Sequence, residues 1–163
     1  MAIAARLPRG TGVIFRGLGR AGAEEAALAL AKLARRRGLV LLIGRDEALA
    51  ARVGAAGVHL PERYVWRARG VRQRHPQWLI TGAAHSPRAL ASAYRLRLDV
   101  ALLSTAFASN SPSAKRPLGP VRLAALVRGA RVPIAALGGV NGRTAKRLIG
   151  TRVVGFAAVH GLA

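Results

Sequence analysis

The sequence contains no cysteine, no long apolar run and very few carboxylates, and each shortage narrows what the protein can do. Without cysteine there is no disulfide bond and no thiolate nucleophile, and the cytosol is the compartment that this composition favours. No apolar run approaches the ~20 residues that a membrane-spanning helix needs, and Met1–Leu7 is too short and too weakly apolar for a secretory signal. We therefore expect a cytoplasmic protein that makes no contact with membranes.

Acidic residues are scarce. The chain has 6 Asp and Glu and 27 Lys and Arg, which gives a formal net charge of +21. Such a charge attracts phosphorylated ligands and predicts non-specific RNA binding at low salt. Aromatic residues, which stack on bases, make up only 4% of the chain, and the arginines are mostly scattered along it. A genome that favours Arg, Ala and Gly explains the charge better than a dedicated nucleic-acid binder does, although that second interpretation stays open.

The chain does have a regular alternation of short apolar runs and helical patterns. The runs predict seven strands, at Val13–Phe15, Leu39–Ile43, Gly57–Leu60, Leu79–Ala83, Val100–Ser104, Ile134–Leu137 and Gly155–Val159. Apolar residues at helical spacing predict helices at Ala23–Arg37, Asp46–Val53, Arg88–Arg97, Pro120–Arg128 and Arg143–Ile149, whereas Arg63–His75 is ambiguous. Strands that are apolar throughout and alternate with helices indicate parallel β/α units rather than an antiparallel sheet.

The number of strands predicts an α/β fold of the (β/α)8-barrel type that lacks its first strand. A closed barrel of this type has eight parallel strands ringed by helices, and the chain supplies seven β/α units in a single domain, 1–163. The first strand is the missing one, because Met1–Arg9 can form the end of a helix but not a strand as well. We expect either a mis-assigned start codon or an open barrel, whose exposed edge would favour dimerisation or low solubility.

Glycines follow the last two predicted strands. Gly138 and Gly139 end the apolar run Pro133–Leu137, and His160 and Gly161 follow the final run. Glycine lets backbone N–H groups approach an anion with no Cβ in the way, and the phosphate site of a β/α barrel lies after strands seven and eight. We therefore predict that Gly138, Gly139, His160 and Gly161 bind phosphate, with a bare turn as the alternative for the glycine pair.

Five segments of the chain, in order, resemble one known family. They are Ala55–Glu62, His85-Ser86, Phe107–Gly119, Pro133–Val140 and Gly155–Val159, and they are similar to the segments GADGVHL, SxHS, FPTxxK…PLG, PVVAIGGI and GVAVIS of thiamine-phosphate synthases and their TenI-like relatives. The resemblance extends from Val13 to the C-terminus. It implies a β/α barrel of the thiamine-synthase superfamily, in which a pyrimidine diphosphate is coupled to a thiazole phosphate with Mg²⁺ and diphosphate is released.

The chain departs from this family where the family binds diphosphate and metal. Of the family pattern QxRxK only Arg16 remains, and Arg45 stands where the family's NDR segment supplies an Asp to Mg²⁺. Asp46 comes one residue later, at a position better suited to begin a helix, and the position of the second metal carboxylate carries Tyr64. Mg²⁺ is usually held by carboxylates and phosphates, and Glu62 is the only acid nearby. We therefore predict no resident metal site and expect Mg²⁺ only if the protein is an active synthase.

The other candidate residues would complete a pocket for a phosphorylated molecule. The resemblance implies that Ser109 and Lys115 close over a second anion together with Arg16. Arg45, His59 and His85 are possible pocket residues, with a packed, hydrogen-bonded side chain as the alternative for either histidine. The histidine of the family's tautomerase branch is absent from Ser104-Thr105-Ala106-Phe107, so no catalytic residue is assigned.

Three functions are consistent with the sequence. The first is a thiamine-phosphate synthase or TenI-like protein of thiamine biosynthesis, a transferase if it is active, whose partner is a thiazole phosphate or thiamine phosphate. The second is a catalytically degenerate, phosphate-binding relative with a regulatory role. The third is a nucleic-acid binder driven by charge alone. A homodimer is compatible with each of them.

Overall fold

Strands and helices alternate along the whole of the described chain. The structure, a computed structural model, describes residues 2–17, 19–109, 111 and 116–159. These residues belong to two compact units, Met1–Ile80 (unit 1) and Thr81–Ala163 (unit 2).

Unit 1 contains three parallel strands with helices between them. Its elements are α1 (Ala2–Arg6), β1 (Gly12–Phe15), α2 (Ala23–Arg37), β2 (Val40–Gly44), α3 (Glu47–Val53), β3 (Gly57–Leu60), a 3₁₀ helix (Glu62–Arg67) and α4 (Ala68–Arg74). β2 pairs with both β1 and β3, with Phe15 opposite Ile43 and Gly44 opposite His59. Ile43 and Val58 are fully buried, so the strands form the core of this unit.

Unit 2 begins within β4 and continues the same pattern. Its elements are β4 (Leu79–Ala84), α5 (Pro87–Arg95), β5 (Val100–Ser104), α6 (Gly119–Gly129), β6 (Ile134–Leu137), a second 3₁₀ helix (Ala145–Leu148) and β7 (Gly155–Ala157). β4, β5, β6 and β7 are parallel and pair in that order. Leu103 and Ile134 are fully buried in its core, where Leu123 of α6 joins them. No helix of the described residues is long and apolar enough to cross a membrane.

Side-chain caps fix the starts of two helices, the first of them at the residue that the sequence predicts. Asp46 begins α3, and its carboxylate accepts a hydrogen bond of 2.8 Å from the N–H of Leu49. Ser86 caps α5 in the same way by accepting from the N–H of Ala89 at 3.1 Å. Each cap satisfies a backbone donor that the first helical turn leaves without a partner.

The prediction of seven parallel strands that alternate with helices is confirmed. The ambiguous segment Arg63–His75 contains the end of the first 3₁₀ helix and all of α4. The helix predicted at Arg143–Ile149 is present as a shorter 3₁₀ helix, Ala145–Leu148. The carboxamide oxygen of Asn141 accepts from the N–H groups of Arg143 and Thr144, and the hydroxyl of Thr144 donates to the carbonyl of Gly139.

Candidate anion-binding sites

The carboxyl ends of the three strands of unit 1 bring arginine and histidine together. Arg16 directly follows β1, Arg45 directly follows β2, and His59 lies in β3 opposite the last residue of β2. A Cβ placed on Gly44 would lie 3.4 Å from the Cγ of Arg16, so the Arg16 side chain passes beside the end of β2. The three residues that the sequence assigns to the substrate pocket in this unit are therefore neighbours.

Arg45 is held at both its backbone and its side chain. Its N–H donates to the carbonyl of His59 at 2.9 Å, and its Nη1 donates to the hydroxyl of Tyr64 at 3.4 Å. Its Cζ lies 5.0 Å from the centroid of the Tyr64 ring, and the Cζ of Arg63 lies 5.0 Å from the same centroid. Cations at this distance are attracted by the electron-rich face of the ring. We call Arg16, Arg45 and Arg63 the arginine cluster.

His59, which lies beside Arg16, carries no charge. Burial, and then the charge of Arg16, lowers the pKa of His59 from 6.5 to about 4. Burial disfavours the charged form of imidazole, and a neighbouring cation disfavours it further. His59 is therefore neutral near pH 7 and adds no positive charge to the cluster.

The carboxylates of unit 1 are not arranged to hold a metal ion. Asp46 is used as the cap of α3, and Glu47 accepts hydrogen bonds from Arg74 at 2.7 and 2.9 Å. Within residues 2–17, 19–109, 111 and 116–159, no group of three or more His, Cys, Asp or Glu side chains could hold a metal ion. The residues at the two positions where the family resemblance implies metal carboxylates are Arg45 and Tyr64, which contact each other. These residues do not fit Mg²⁺, which prefers oxygen ligands with negative charge.

A shallow cleft of about 540 Å³ borders Arg45 on the side of α3 and α4. Its lining includes Glu47, Arg67, Arg74 and His75. The Nε2 of His75 lies 3.3 Å from the Glu47 carboxylate, and hydrogen bonding from Arg74 holds the pKa of Glu47 below its usual value. The cations of this cleft are thus gathered around a carboxylate.

In unit 2 the candidate site is a loop that follows β6. Gly138 and Gly139 both have positive φ, of 96° and 62°. The hydroxyl of Thr144 donates to the carbonyl of Gly139 at 2.8 Å, and the N–H of Asn141 donates to the same hydroxyl oxygen at 2.9 Å. The carboxamide of Asn141 accepts from the N–H of Arg143 at 3.0 Å. These bonds fix the backbone of 138–144, which we call the glycine loop.

Packing explains why both positions are glycine. A Cβ on Gly139 would lie 2.1 Å from the carbonyl oxygen of Ala108, and one on Gly138 would lie 2.9 Å from the Thr105 side chain. The N–H of Phe107 also donates to the carbonyl of Gly138 at 3.0 Å. The glycines are therefore required by the close approach of residues 105–108, whether or not a phosphate binds.

The remaining predicted residues are divided between described and undescribed parts of the chain. Ser109 follows Ala108, the residue against which Gly139 packs, and its Oγ accepts from the N–H of Ser111 at 3.3 Å. His85 is half-buried, directly after β4. Lys115, His160 and Gly161 lie outside the described residues, so their assignment to phosphate stays a prediction.

Comparison with known proteins decides the family. The family model of thiamine monophosphate synthase matches residues 5–162 of the chain. The chain belongs to the thiamine monophosphate synthase family. Among its relatives is the thiamine-phosphate synthase of Thioalkalivibrio sulfidiphilus, which is 32% identical over 151 residues, covering 85% of this chain and 66% of the relative. That of Alcanivorax borkumensis is 30% identical over 144 residues, covering 85% of this chain and 64% of the relative.

A solved structure has a similar fold. The thiamine phosphate pyrophosphorylase of Pyrococcus furiosus superposes with a TM-score of 0.78 over 96% of this chain and 75% of that one, at 20% identity. This likeness confirms the predicted fold class of a β/α barrel with seven parallel strands. The chain spans just under two thirds of the length of the curated relatives described above.

Within this thiamine monophosphate synthase family member, three structurally important residues were not assigned to a site from the sequence. Arg63 and Tyr64 fell in the ambiguous segment, and nothing in its pattern indicates that the Tyr64 ring lies 5.0 Å from the guanidinium carbons of both Arg63 and Arg45. Thr144 holds the glycine loop through its hydroxyl. The signal for Thr144 was present, because Asn and Thr three residues apart beside a Gly pair are typical of side chains that bond to nearby backbone.

Proposed function

We propose that this chain binds a thiazole phosphate or thiamine phosphate through the glycine loop of unit 2, as a thiamine-phosphate synthase or TenI-like protein of the cytosol. The observation that carries the proposal is a backbone fixed by hydrogen bonds, in which two N–H groups are used by no described hydrogen bond. Among the hydrogen bonds of the described residues, none uses the N–H of Gly139 or of Val140. Backbone N–H groups held in this way form a site for phosphate at no cost in reorganisation.

Ser109 and the net charge of the chain support the same proposal. Ser109 directly follows the residue that packs against Gly139, which places a hydroxyl-bearing side chain in the segment beside the loop. The formal net charge of +21 raises the local concentration of phosphorylated ligands. Lys115, His160 and Gly161 are part of the proposed site through the family resemblance.

The test is calorimetric titration of the folded protein with thiamine phosphate, with and without Mg²⁺, at moderate salt. We expect thiamine phosphate to bind at least about tenfold more tightly than inorganic phosphate, which is the control for charge alone. Thr144→Val should weaken this binding about fivefold, because it removes the hydroxyl that fixes the loop. Gly142→Ala, in the same loop but with open space around its Cβ, should leave the affinity unchanged.

Equal affinity for thiamine phosphate and inorganic phosphate would contradict the proposal. So would a Thr144→Val variant that folds and binds thiamine phosphate like the unmodified chain. A sharp loss of every interaction as salt is raised, with no preference among phosphates, would instead favour the charge-driven nucleic-acid binder.

A second candidate function is a phosphate-binding relative that has lost the synthase reaction and acts in regulation. The contact between Arg45 and Tyr64 favours it, because these residues replace both of the metal carboxylates that the resemblance implies. An assay of thiamine phosphate formation separates the two candidates. Specific binding without turnover, in the presence or absence of Mg²⁺, would select the regulatory relative.

A further inference from the structure

The arginine cluster of unit 1 gathers positive charge at one end of a buried set of strands. We propose that this cluster binds a diphosphate group directly, so that arginine side chains supply the positive charge and no divalent cation is needed. The inference rests on the proposed function for the class of substrate, a diphosphate ester, but it concerns a different unit and different residues.

The first argument is the charge balance of the cluster. No described ion pair includes Arg16, Arg45 or Arg63, whereas Arg67 and Arg74 in the neighbouring cleft are both within 4 Å of Glu47. The guanidinium groups of Arg45 and Arg63 lie against the same tyrosine ring, and like charges held near each other repel. An anion of high charge density would reduce this repulsion, whereas Glu47 already compensates Arg67 and Arg74.

The second argument is the position of Arg45. Its backbone is fixed by the bond to His59, and its guanidinium is fixed by Tyr64. A guanidinium has five N–H donors, and the hydroxyl of Tyr64 takes a single one of them among the described contacts of Arg45. Arg45 is therefore oriented in advance, and its other donors can form the paired hydrogen bonds that phosphate oxygens accept from arginine.

The third argument is the misfit between this site and a metal ion. Arg45 and Tyr64 stand at the positions where the resemblance implies carboxylates, and the two side chains contact each other across them. A cation placed between these groups would be repelled by the guanidinium and would find a single neutral oxygen ligand. The same change that removes the metal site adds a permanent positive charge in its place.

The experiment is titration of the full chain with inorganic pyrophosphate in EDTA and again in excess Mg²⁺. We expect pyrophosphate to bind in EDTA and to bind no more tightly when Mg²⁺ is added. Arg45→Gln should weaken binding in EDTA about tenfold or more, because a charged bidentate donor is lost. The matched control is Arg69→Gln, which removes the same charge from an exposed position on α4 and should change the affinity less than about twofold.

Binding that requires Mg²⁺ would overturn the inference, and so would equal losses in the Arg45 and Arg69 variants. Arg45→Gln keeps a side chain at the same backbone position, and a thermal melt of each variant verifies folding. Tyr64→Phe gives a second measure, since it keeps the ring but removes the hydroxyl that orients Arg45, and it should weaken pyrophosphate binding about threefold. Thiamine phosphate binding that depends on Thr144 but not on Arg45 would separate failure here from failure of the glycine-loop proposal.

Discussion

The two candidate anion sites of this protein offer an anion different kinds of groups. In unit 1 the positive charge is carried by arginine side chains at the ends of β1 and β2 and on the 3₁₀ helix, whereas in unit 2 the donors are backbone N–H groups of the glycine loop. A side chain can be exchanged while the backbone stays in place. The glycine loop cannot change without disturbing the segment packed against it. Arg45 and Tyr64, at the positions where the resemblance implies carboxylates, beside a retained Gly138-Gly139 pair, agree with this difference.

The largest expected effect is a loss of stability when the glycine loop of unit 2 is changed. Gly139→Ala should lower the free energy of unfolding by about 3 kcal/mol or more, because the new Cβ would meet a carbonyl oxygen and the φ of 62° disfavours alanine. Gly142→Ala should change it by less than about 0.5 kcal/mol, since its Cβ would meet open space. Denaturant unfolding of the two variants measures the contrast. Equal stabilities would mean that the loop does not pack as described.

The difference between the two sites also affects how a phosphate-binding test can be designed. Any substitution of Gly139 disturbs the packing of the loop and also hinders a phosphate from reaching the backbone N–H groups. Reduced binding in that variant would therefore not identify the site. Thr144→Val acts on the same loop from a side chain, and it is the more informative change for that reason. In unit 1 this difficulty does not arise, because Arg45 makes its described hydrogen bonds at the edge of the core and not within it.

The next largest effect is a pH dependence of the free energy of unfolding, which arises from His59 in unit 1. His59 has a pKa of about 4 in the folded protein and an ordinary value of 6.5 when unfolded. Between these values the unfolded chain binds more protons, so the free energy of unfolding falls as pH drops from about 6.5 to about 4, and the full contribution is present above pH 6.5. The loss attributable to His59 is about 3 kcal/mol.

The measurement is denaturant unfolding at a series of pH values for the unmodified chain and for His59→Gln. Glutamine does not titrate, so its curve should be flatter between pH 4 and 6.5. His75→Gln is a control that removes an imidazole stacked on Trp78 at a different place in unit 1. Parallel curves for the unmodified chain and the His59 variant would show that His59 is not buried beside Arg16.

The sequence predicts the fold well because the positions of strands and helices depend on local sequence patterns. Apolar runs locate every strand, and Asp46 and Ser86 mark helix starts through hydrogen bonds within one turn. The helix expected at Arg143–Ile149 forms only as the shorter 3₁₀ helix Ala145–Leu148, directly after the residue whose hydroxyl bonds to the carbonyl of Gly139. The type and bounds of so short a helix depend on loop geometry, which the spacing of apolar residues does not report.

The candidate sites were predictable as residue types but not as contacts. The glycine pair was recognised, yet its structural requirement comes from Ala108, about thirty residues earlier in the chain. Arg45 was recognised as a departure from the family, yet its contact with Tyr64 depends on the register of β2 against β3 and on the 3₁₀ helix that follows. Contacts between distant segments are set by tertiary packing, and one sequence alone does not specify them.

The smallest expected effect is also the most direct test of the comparison. Arg45→Gln should change the free energy of unfolding by less than about 0.5 kcal/mol, because the lost bond to Tyr64 is offset by reduced repulsion from Arg16 and Arg63. Thr144→Val should cost about 1 kcal/mol, since it leaves the carbonyl of Gly139 without its donor. Thermal and denaturant unfolding of the pair, at two salt concentrations, measures both values.

If Arg45→Gln proved the more destabilising change, the arginine would be a structural element of unit 1, and the distinction between an exchangeable charged site and a fixed backbone site would fail. If the order is as expected, the charge of unit 1 is carried at little cost to the fold, so a residue such as Arg45 can be exchanged there while the strands of the unit stay in place.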